Sequence, residues 1–188
     1  MEEPFRFALT AEEKAALKDL VRLSILQELM PERPEGQVKL PPAPTPRLRE
    51  ELGAFVTLKT GHRLRGCIGY IQGQGPVWDT VARMAKAAAF EDPRFAPLRP
   101  DEFERLDIEI SILSPVSECT DPAAIEIGRH GLIVRKGGRS GLLLPQVATE
   151  WKWDRETFLA HTCLKAGLPE NAWKSGGCSL LWFEAEVF

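Results

Sequence analysis

Two strand-like runs, residues 53–59 and 63–70, flank Thr60-Gly61-His62. A spacer this short containing glycine joins strands as a tight antiparallel hairpin, so the chain must build a sheet around that pairing. Within the second run side chains alternate between faces. Leu64, Ile68 and Tyr70 are expected on one face, with Arg65 and Cys67 on the other. The segment Leu64-Arg65-Gly66-Cys67-Ile68-Gly69 sets a guanidinium two residues from a thiol and brackets the thiol with glycines. A thiolate beside a fixed cation has a lowered pKa and is the reactive form. Gly66 and Gly69 remove side-chain bulk, so another backbone or a ligand can come close. The same residues also describe a purely structural hairpin. There Cys67 is a small buried hydrophobe and a glycine marks a bulge.

The rest of the chain supplies further elements. Thr10 with Glu13 forms a capping box, followed by a stripe of Leu17, Leu20, Val21, Ser24 and Ile25. That helix is expected to stop near Met30, before Pro31. Residues 31–46 hold six prolines, and Val38 and Leu40 suggest an ordered, extended strap lying on the surface. Pro76 opens a second helix running to about Phe90, with Trp78, Val81, Ala82, Ala85 and Ala89 inward. Residues 106–113 alternate as a strand with Ile108, Ile110 and Ile112 on the core face, which leaves Glu109 and Ser111 opposite.

Residues 125–127, 132–136 and 141–144 read as further strands, with Gly137-Gly138 as the turn between the last two. Pro145-Gln146 closes that hairpin. Asp154 caps a helix ending at Gly167, and residues 180–187 form a final strand. This order lacks regular strand–helix–strand alternation. The expected class is α+β, a largely antiparallel sheet with packed helices.

Charge and cysteine content exclude several functions. A formal net charge of −3 gives no strong electrostatic footprint for nucleic acid, although Arg63, Arg65, Arg83 and Lys86 could form a local basic patch. No apolar run is long enough to span a bilayer. The start, Met1-Glu2-Glu3-Pro4, lacks a signal-peptide profile, so a cytoplasmic location is expected. Four separated cysteines, Cys67, Cys119, Cys163 and Cys178, form no Cys-x-x-Cys pair. His62, His130 and His161 fit no metal-ligand spacing, and no cofactor fingerprint is present. No metal is therefore expected, and any cofactor is unassigned.

Taken in order, Gly-Ala-Phe-Val-Thr-Leu at 53–58, Leu-Arg-Gly-Cys-Ile-Gly at 64–69, Asp-Pro-Arg-Phe at 92–95 and Pro-Leu at 97–98 form a recognisable series. Ile-Glu-Ile-Ser at 108–111, His-Gly-Leu at 130–132, Leu-Pro-Gln-Val at 144–147 and Lys-Ala-Gly-Leu at 165–168 continue it. The chain resembles the AmmeMemoRadiSam system protein A family, relatives of the AMME-syndrome candidate protein of animals. That resemblance implies a larger α+β domain and a smaller one from the middle of the chain. The expected boundaries give residues 1–70 and 106–188 to the larger domain and 71–105 to a smaller helical piece. It also implies action with a Memo-like protein and a radical S-adenosylmethionine enzyme, and it brings no settled reaction.

If the motifs converge, Cys67 is the expected nucleophile or ligand, with Arg65 lowering its pKa or holding an anion. Glu109 or His130 would then serve as acid or base. Asp92, Arg94, Gln146 and Lys165, with Gly66 and Gly69, would contact a small-molecule ligand. Each has a structural counterpart. Asp92-Pro93-Arg94 can stop a helix, His130-Gly131 can make a turn, and Lys165 can complement a helix dipole. Two functions stand open: an enzyme or binder centred on Arg65 and Cys67, or a non-catalytic partner module in which the motif is structural.

Overall fold

A computed structural model describes residues 8–30 and 39–188, and in them seven strands and five α-helices. Contacts divide the chain into two compact units. One takes in the described residues up to Leu113 together with Glu186–Phe188; the other is Ser114–Ala185.

The first unit is built on the expected hairpin. β1 (Gly53–Thr60) and β2 (Arg63–Tyr70) pair antiparallel, and β1 pairs antiparallel on its other side with β3 (Leu106–Leu113). Gly61 (φ 54°) and His62 (φ 64°) both sit in the left-handed region, as a two-residue hairpin loop needs. Helix α1 (Ala11–Leu29) starts at the reciprocal Thr10–Glu13 capping box and ends with Met30 as its cap. Helix α2 (Val77–Phe90) lies against β1 and β2, with α1 packed beside it. A short helix α3 (Pro100–Phe103) follows, which the sequence reading did not anticipate.

The core fills the space between α1, α2 and one face of the sheet. Leu17, Leu20, Ile25, Val81 and Ala85 meet Val56, Leu58, Ile110 and Ile112, all fully buried. The alanine stripe lets α2 settle so low that a Cβ on Gly66 would lie 2.0 Å from the Ala88 carbonyl oxygen. Residues 71–105, expected as a separate piece, thus share this core through Trp78, Ala88 and Phe103. The division between units falls instead at Leu113/Ser114.

The strap is ordered over its described part. Leu40 and Ala43 pack against the core. Trp78 Nε1 donates to the Pro41 carbonyl at 2.8 Å, and the Thr45 hydroxyl donates to Glu13 at 2.6 Å. Pro31, Pro34 and Val38, part of the same expectation, lie outside the described residues.

In the second unit β5 (His130–Lys136) pairs with β6 (Arg139–Leu143) and with β7 (Ser179–Val187). β4 (Ser117–Glu118) pairs with β7 as well. Helix α4 (Pro145–Glu150) follows β6, and helix α5 (Arg155–Lys165) packs on β5 and β6. Phe158, Leu159 and Cys163 supply α5's share of the core, with Leu132 and Val134 opposite. β6 approaches the C-terminal end of α5 nearly as closely as β2 approaches α2: a Cβ on Gly141 would lie 2.3 Å from the nitrogen of the cap residue Ala166.

The strand expected at 125–127 does not form. Pro122–Ala124 makes a 3₁₀ turn, Gly128 takes φ 86°, and the Glu126 backbone bonds to Arg129 and His130 in a local turn instead of along a ladder. The second departure is α4, where a simple hairpin closure was expected. It ends in a Schellman arrangement: Lys152 N–H donates to the Thr149 carbonyl and Trp153 N–H to Ala148. Lys152 takes the left-handed position at φ 54°, a place usually held by glycine.

Candidate functional site

The site is set by a one-residue irregularity in the first hairpin. Leu58 pairs with Gly66, but Lys59 pairs with Leu64, so Arg65 is an extra residue in β2. The bulge resets the alternation. Leu64 joins Lys59, on the face opposite Ile68 and Tyr70, and is 42% exposed. Arg65 is also separated from Cys67. Its Nε and Nη2 form a fork on Glu102 of α3 at 2.8 and 3.1 Å, and Nη2 also donates to the Ala96 carbonyl at 3.0 Å. This pairing lowers the Glu102 carboxyl to about 2, chiefly through the Arg65 hydrogen bonds. The arginine expected to act on the thiol is therefore engaged by a carboxylate.

Among the described residues β2, which carries Cys67, pairs along one side only, so the outward backbone N–H and carbonyl of Cys67 lack a strand partner there. Two side chains from the loop after α2 replace one. Asp92 Oδ2 accepts from the Cys67 N–H at 2.9 Å, and Arg94 Nη2 donates to the Cys67 carbonyl at 3.3 Å. Asp92 also accepts from the Arg94 backbone N–H at 3.1 Å and from Nε and Nη2 at 2.9 and 2.7 Å. The Asp92 side chain is 1% exposed against 54% for Arg94. The Arg94 guanidinium holds the Asp92 carboxyl well below the usual carboxylate range. The Cys67 and Arg94 N–H groups add to this, while burial opposes it. The Phe95 ring lies under both guanidiniums, 5.9 Å from Arg65 Cζ and 5.5 Å from Arg94 Cζ.

With its backbone clasped, Cys67 presents a half-buried side chain on the sheet face turned away from α2. Thr57, directly opposite on β1, donates its hydroxyl to Cys67 Sγ at 3.2 Å. Thr57 pairs on its other side with Glu109, so Cys67, Thr57 and Glu109 form a row across three strands. Glu109 Oε2 is bound by Lys59 Nζ at 2.8 Å. Phe55 shares this face, opposite Gly69, where a Cβ would lie 2.3 Å from the Phe55 ring.

Of the expected residues, Cys67, Asp92 and Arg94 are brought together by direct hydrogen bonds. Arg65 stands beside them across Phe95, and Glu109 lies one strand beyond Thr57. Gly66 and Gly69 face Ala88 and Phe55. His130, Gln146 and Lys165 belong to the unit Ser114–Ala185. His130 Nδ1 accepts from the Glu126 N–H at 2.9 Å, and its ring lies 4.6 Å from that of Trp182. Burial lowers its pKa, with Arg129 adding to the effect, which favours the neutral ring. Lys165 closes α5 in its last turn, and Gln146 leaves Oε1 buried without a partner.

Thr57, Lys59, Phe95 and Glu102 were not singled out from sequence. The Glu102 signal was legible, since Arg99-Pro100-Asp101-Glu102 carries proline and acids in a first helical turn. Among the described residues no three His, Cys, Asp or Glu side chains gather as metal ligands. Chemically, the row offers a thiol with a hydroxyl donor, flanked by an ion pair and an aromatic ring.

The AMMECR1 family model matches residues 19–188. A protein of Methanopyrus kandleri is 47% identical over 96% of this chain and 89% of its own length. One from Aquifex aeolicus is 43% identical over 81% of this chain and 82% of its own. The crystal structure of an uncharacterised Pyrococcus horikoshii protein is similar at TM-score 0.85 and 38% identity, covering 96% of this chain and 93% of that one. With the described fold and a match of this extent, the chain belongs to the AMMECR1 family.

Proposed function

We propose that this protein holds a small molecule beside Cys67, on the β1–β3 face turned away from α2. In this reading it does so as the AmmeMemoRadiSam system protein A of its cell, in the cytoplasm, with a Memo-like protein and a radical S-adenosylmethionine enzyme. The observation that carries the ligand reading is how the motif's groups are used. Arg65, Gly66, Asp92 and Arg94 are spent on the scaffold, while the Cys67 side chain is left half-buried with the Thr57 hydroxyl against it. Cys67 touches the ligand, Thr57 orients the thiol, and Glu109 with Lys59 supplies a polar rim of both charges. The partner assignment rests on the series of motifs shared with that family.

Alkylation of the folded protein with iodoacetamide, read cysteine by cysteine by mass spectrometry, tests the access this reading needs. Cys67 and the half-buried Cys178 should be modified, and the buried Cys119 and Cys163 protected. A Cys67 that stays unmodified until the chain unfolds refutes the reading.

The second reading, a non-catalytic partner module, draws on the internal bonding of Arg65 and Asp92. It requires that Cys67→Ala leave co-elution with the Memo-like protein unchanged and that no ligand protect Cys67 from alkylation.

A further inference from the structure

The second unit carries an aromatic stack that nothing above uses. The ring of Trp151 is 6.2 Å from that of Trp153 at an interplanar angle of 20°, and Trp153 lies 3.9 Å from His161 at 9°. Trp153 packs against the core, whereas Trp151 is 68% exposed. The Schellman turn at Lys152 fixes this arrangement, holding one tryptophan on each side of a left-handed residue. A tryptophan held largely in water is a common anchor of protein interfaces.

Beside the stack an open groove of about 290 Å³ runs along α5, lined by His161, Ala160, Leu164, Thr157, Glu156 and Glu170. Leu164 is 46% exposed at its edge. The groove is at the small end of metabolite pockets, about the size for one inserted side chain. Among the described residues its two carboxylates, Glu156 and Glu170, have no hydrogen bond or ion pair, and its lining holds no lysine or arginine. Such a lining repels phosphate and other anions and attracts a cation that also covers apolar surface. An arginine or lysine side chain has that chemistry, with an apolar stem and a charged head that stacks on an indole.

We propose that the Trp151–Trp153–His161 stack and the groove beside it form a docking surface for a basic segment of a partner protein. A basic side chain enters between Glu156 and Glu170 while a second basic side chain of the segment stacks on Trp151. This inference uses residues of the unit Ser114–Ala185 alone and does not depend on the reading of Cys67.

The probe is the capped pentapeptide acetyl-Arg-Leu-Arg-Leu-Arg-amide, titrated into ¹⁵N-labelled protein and followed through the tryptophan indole N–H signals. The control has citrulline for arginine, which keeps the shape and removes the charge. Saturable shifts are expected at Trp151 and Trp153, weakened by salt. Trp151→Ala should lower the affinity about 2–5-fold, the size of an exposed cation–π contact. Glu156→Gln with Glu170→Gln should lower it about 3–10-fold, as two exposed charge pairs imply. Both variants change exposed side chains, and an unchanged spectrum elsewhere verifies folding. No shift at millimolar peptide overturns the proposal. So do equal shifts with the citrulline peptide, or an affinity that the paired glutamate substitutions leave unaltered.

Discussion

Asp92→Ala tests whether the loop after α2 clasps the edge of β2. The substitution removes a carboxylate that accepts four hydrogen bonds, three from Arg94 and one from the Cys67 N–H. The Arg94 side chain is 54% exposed, so its charge regains water and most of its loss is recovered. The Cys67 N–H, which faces the buried Asp92 carboxylate, then has no acceptor on the unpaired edge of β2. A buried donor left unpaired costs about 1–3 kcal/mol. Freeing the loop after α2 adds to this, and about 2–3 kcal/mol is expected in all. For a chain of this length each kcal/mol moves the melting temperature by about 2–4 °C, so a fall of about 4–12 °C follows.

The pH dependence has a definite sign. The folded carboxyl is lowered relative to the unfolded one. Its stabilising contribution is therefore complete above the unfolded value, about pH 4, and drains away as the pH falls below it. The variant should lose that part of the acid-limb steepness, and thermal unfolding at several pH values would show it. Hydrogen exchange supplies the local readout, with the Cys67 amide losing protection while the core of α1 keeps its own. A melting temperature within about 1 °C of the parent, with unchanged Cys67 exchange, would refute the clasp.

Two further substitutions probe the packing. Gly66→Ala should cost about 3 kcal/mol, the upper end for overpacking, seen as a lowered urea midpoint, because its Cβ would press on the Ala88 carbonyl 2.0 Å away. An unchanged midpoint would mean that β2 is not held against α2. Lys152→Gly should raise stability by up to about 1 kcal/mol by relieving a non-glycine residue at φ 54°. A lowered melting temperature would show that the lysine side chain outweighs the strain.

Much of the first unit's fold could be read in the sequence because its signals are local. The Thr10–Glu13 box, the alanine stripe of α2 and the alternation of residues 106–113 each report on side chains a few positions apart. The second unit shows where such signals stop. Gly167, at φ 68°, closes α5 as its residue type announces, and Lys152 closes α4 in the same geometry without any such announcement. A lysine gives no sign of a left-handed turn, so α4 was missed. Residues 125–127 failed for the opposite reason. Two isoleucines in alternation suggested a strand, but a 3₁₀ turn before them and Gly128 after them left no room for a ladder.

The candidate site depended on one residue of register. Counting back from a regular two-residue loop places Thr57 opposite Gly66, with Arg65 and Cys67 sharing a face. The bulge at Arg65 moves Thr57 opposite Cys67, and Arg65 pairs with Glu102. Composition carries no mark of that shift, because bulges form where neighbouring elements demand them. Here Glu102 and the Ala96 carbonyl capture the guanidinium on one side, and Ala88 admits only glycine on the other. The shift also changes what the motif accomplishes. An arginine fixed beside the thiol would have made Leu-Arg-Gly-Cys-Ile-Gly a reactive centre by itself. Arg65 instead ties α3 to β2, and the Asp92–Arg94 pair takes up the edge of the strand, so side-chain hydrogen bonds make the hairpin rigid along that edge. What this rigidity holds in place is the Cys67 side chain and the Thr57 hydroxyl 3.2 Å from its sulfur. Under the ligand reading proposed above, any chemistry at this site would draw on that thiol and on what the bound molecule brings to it.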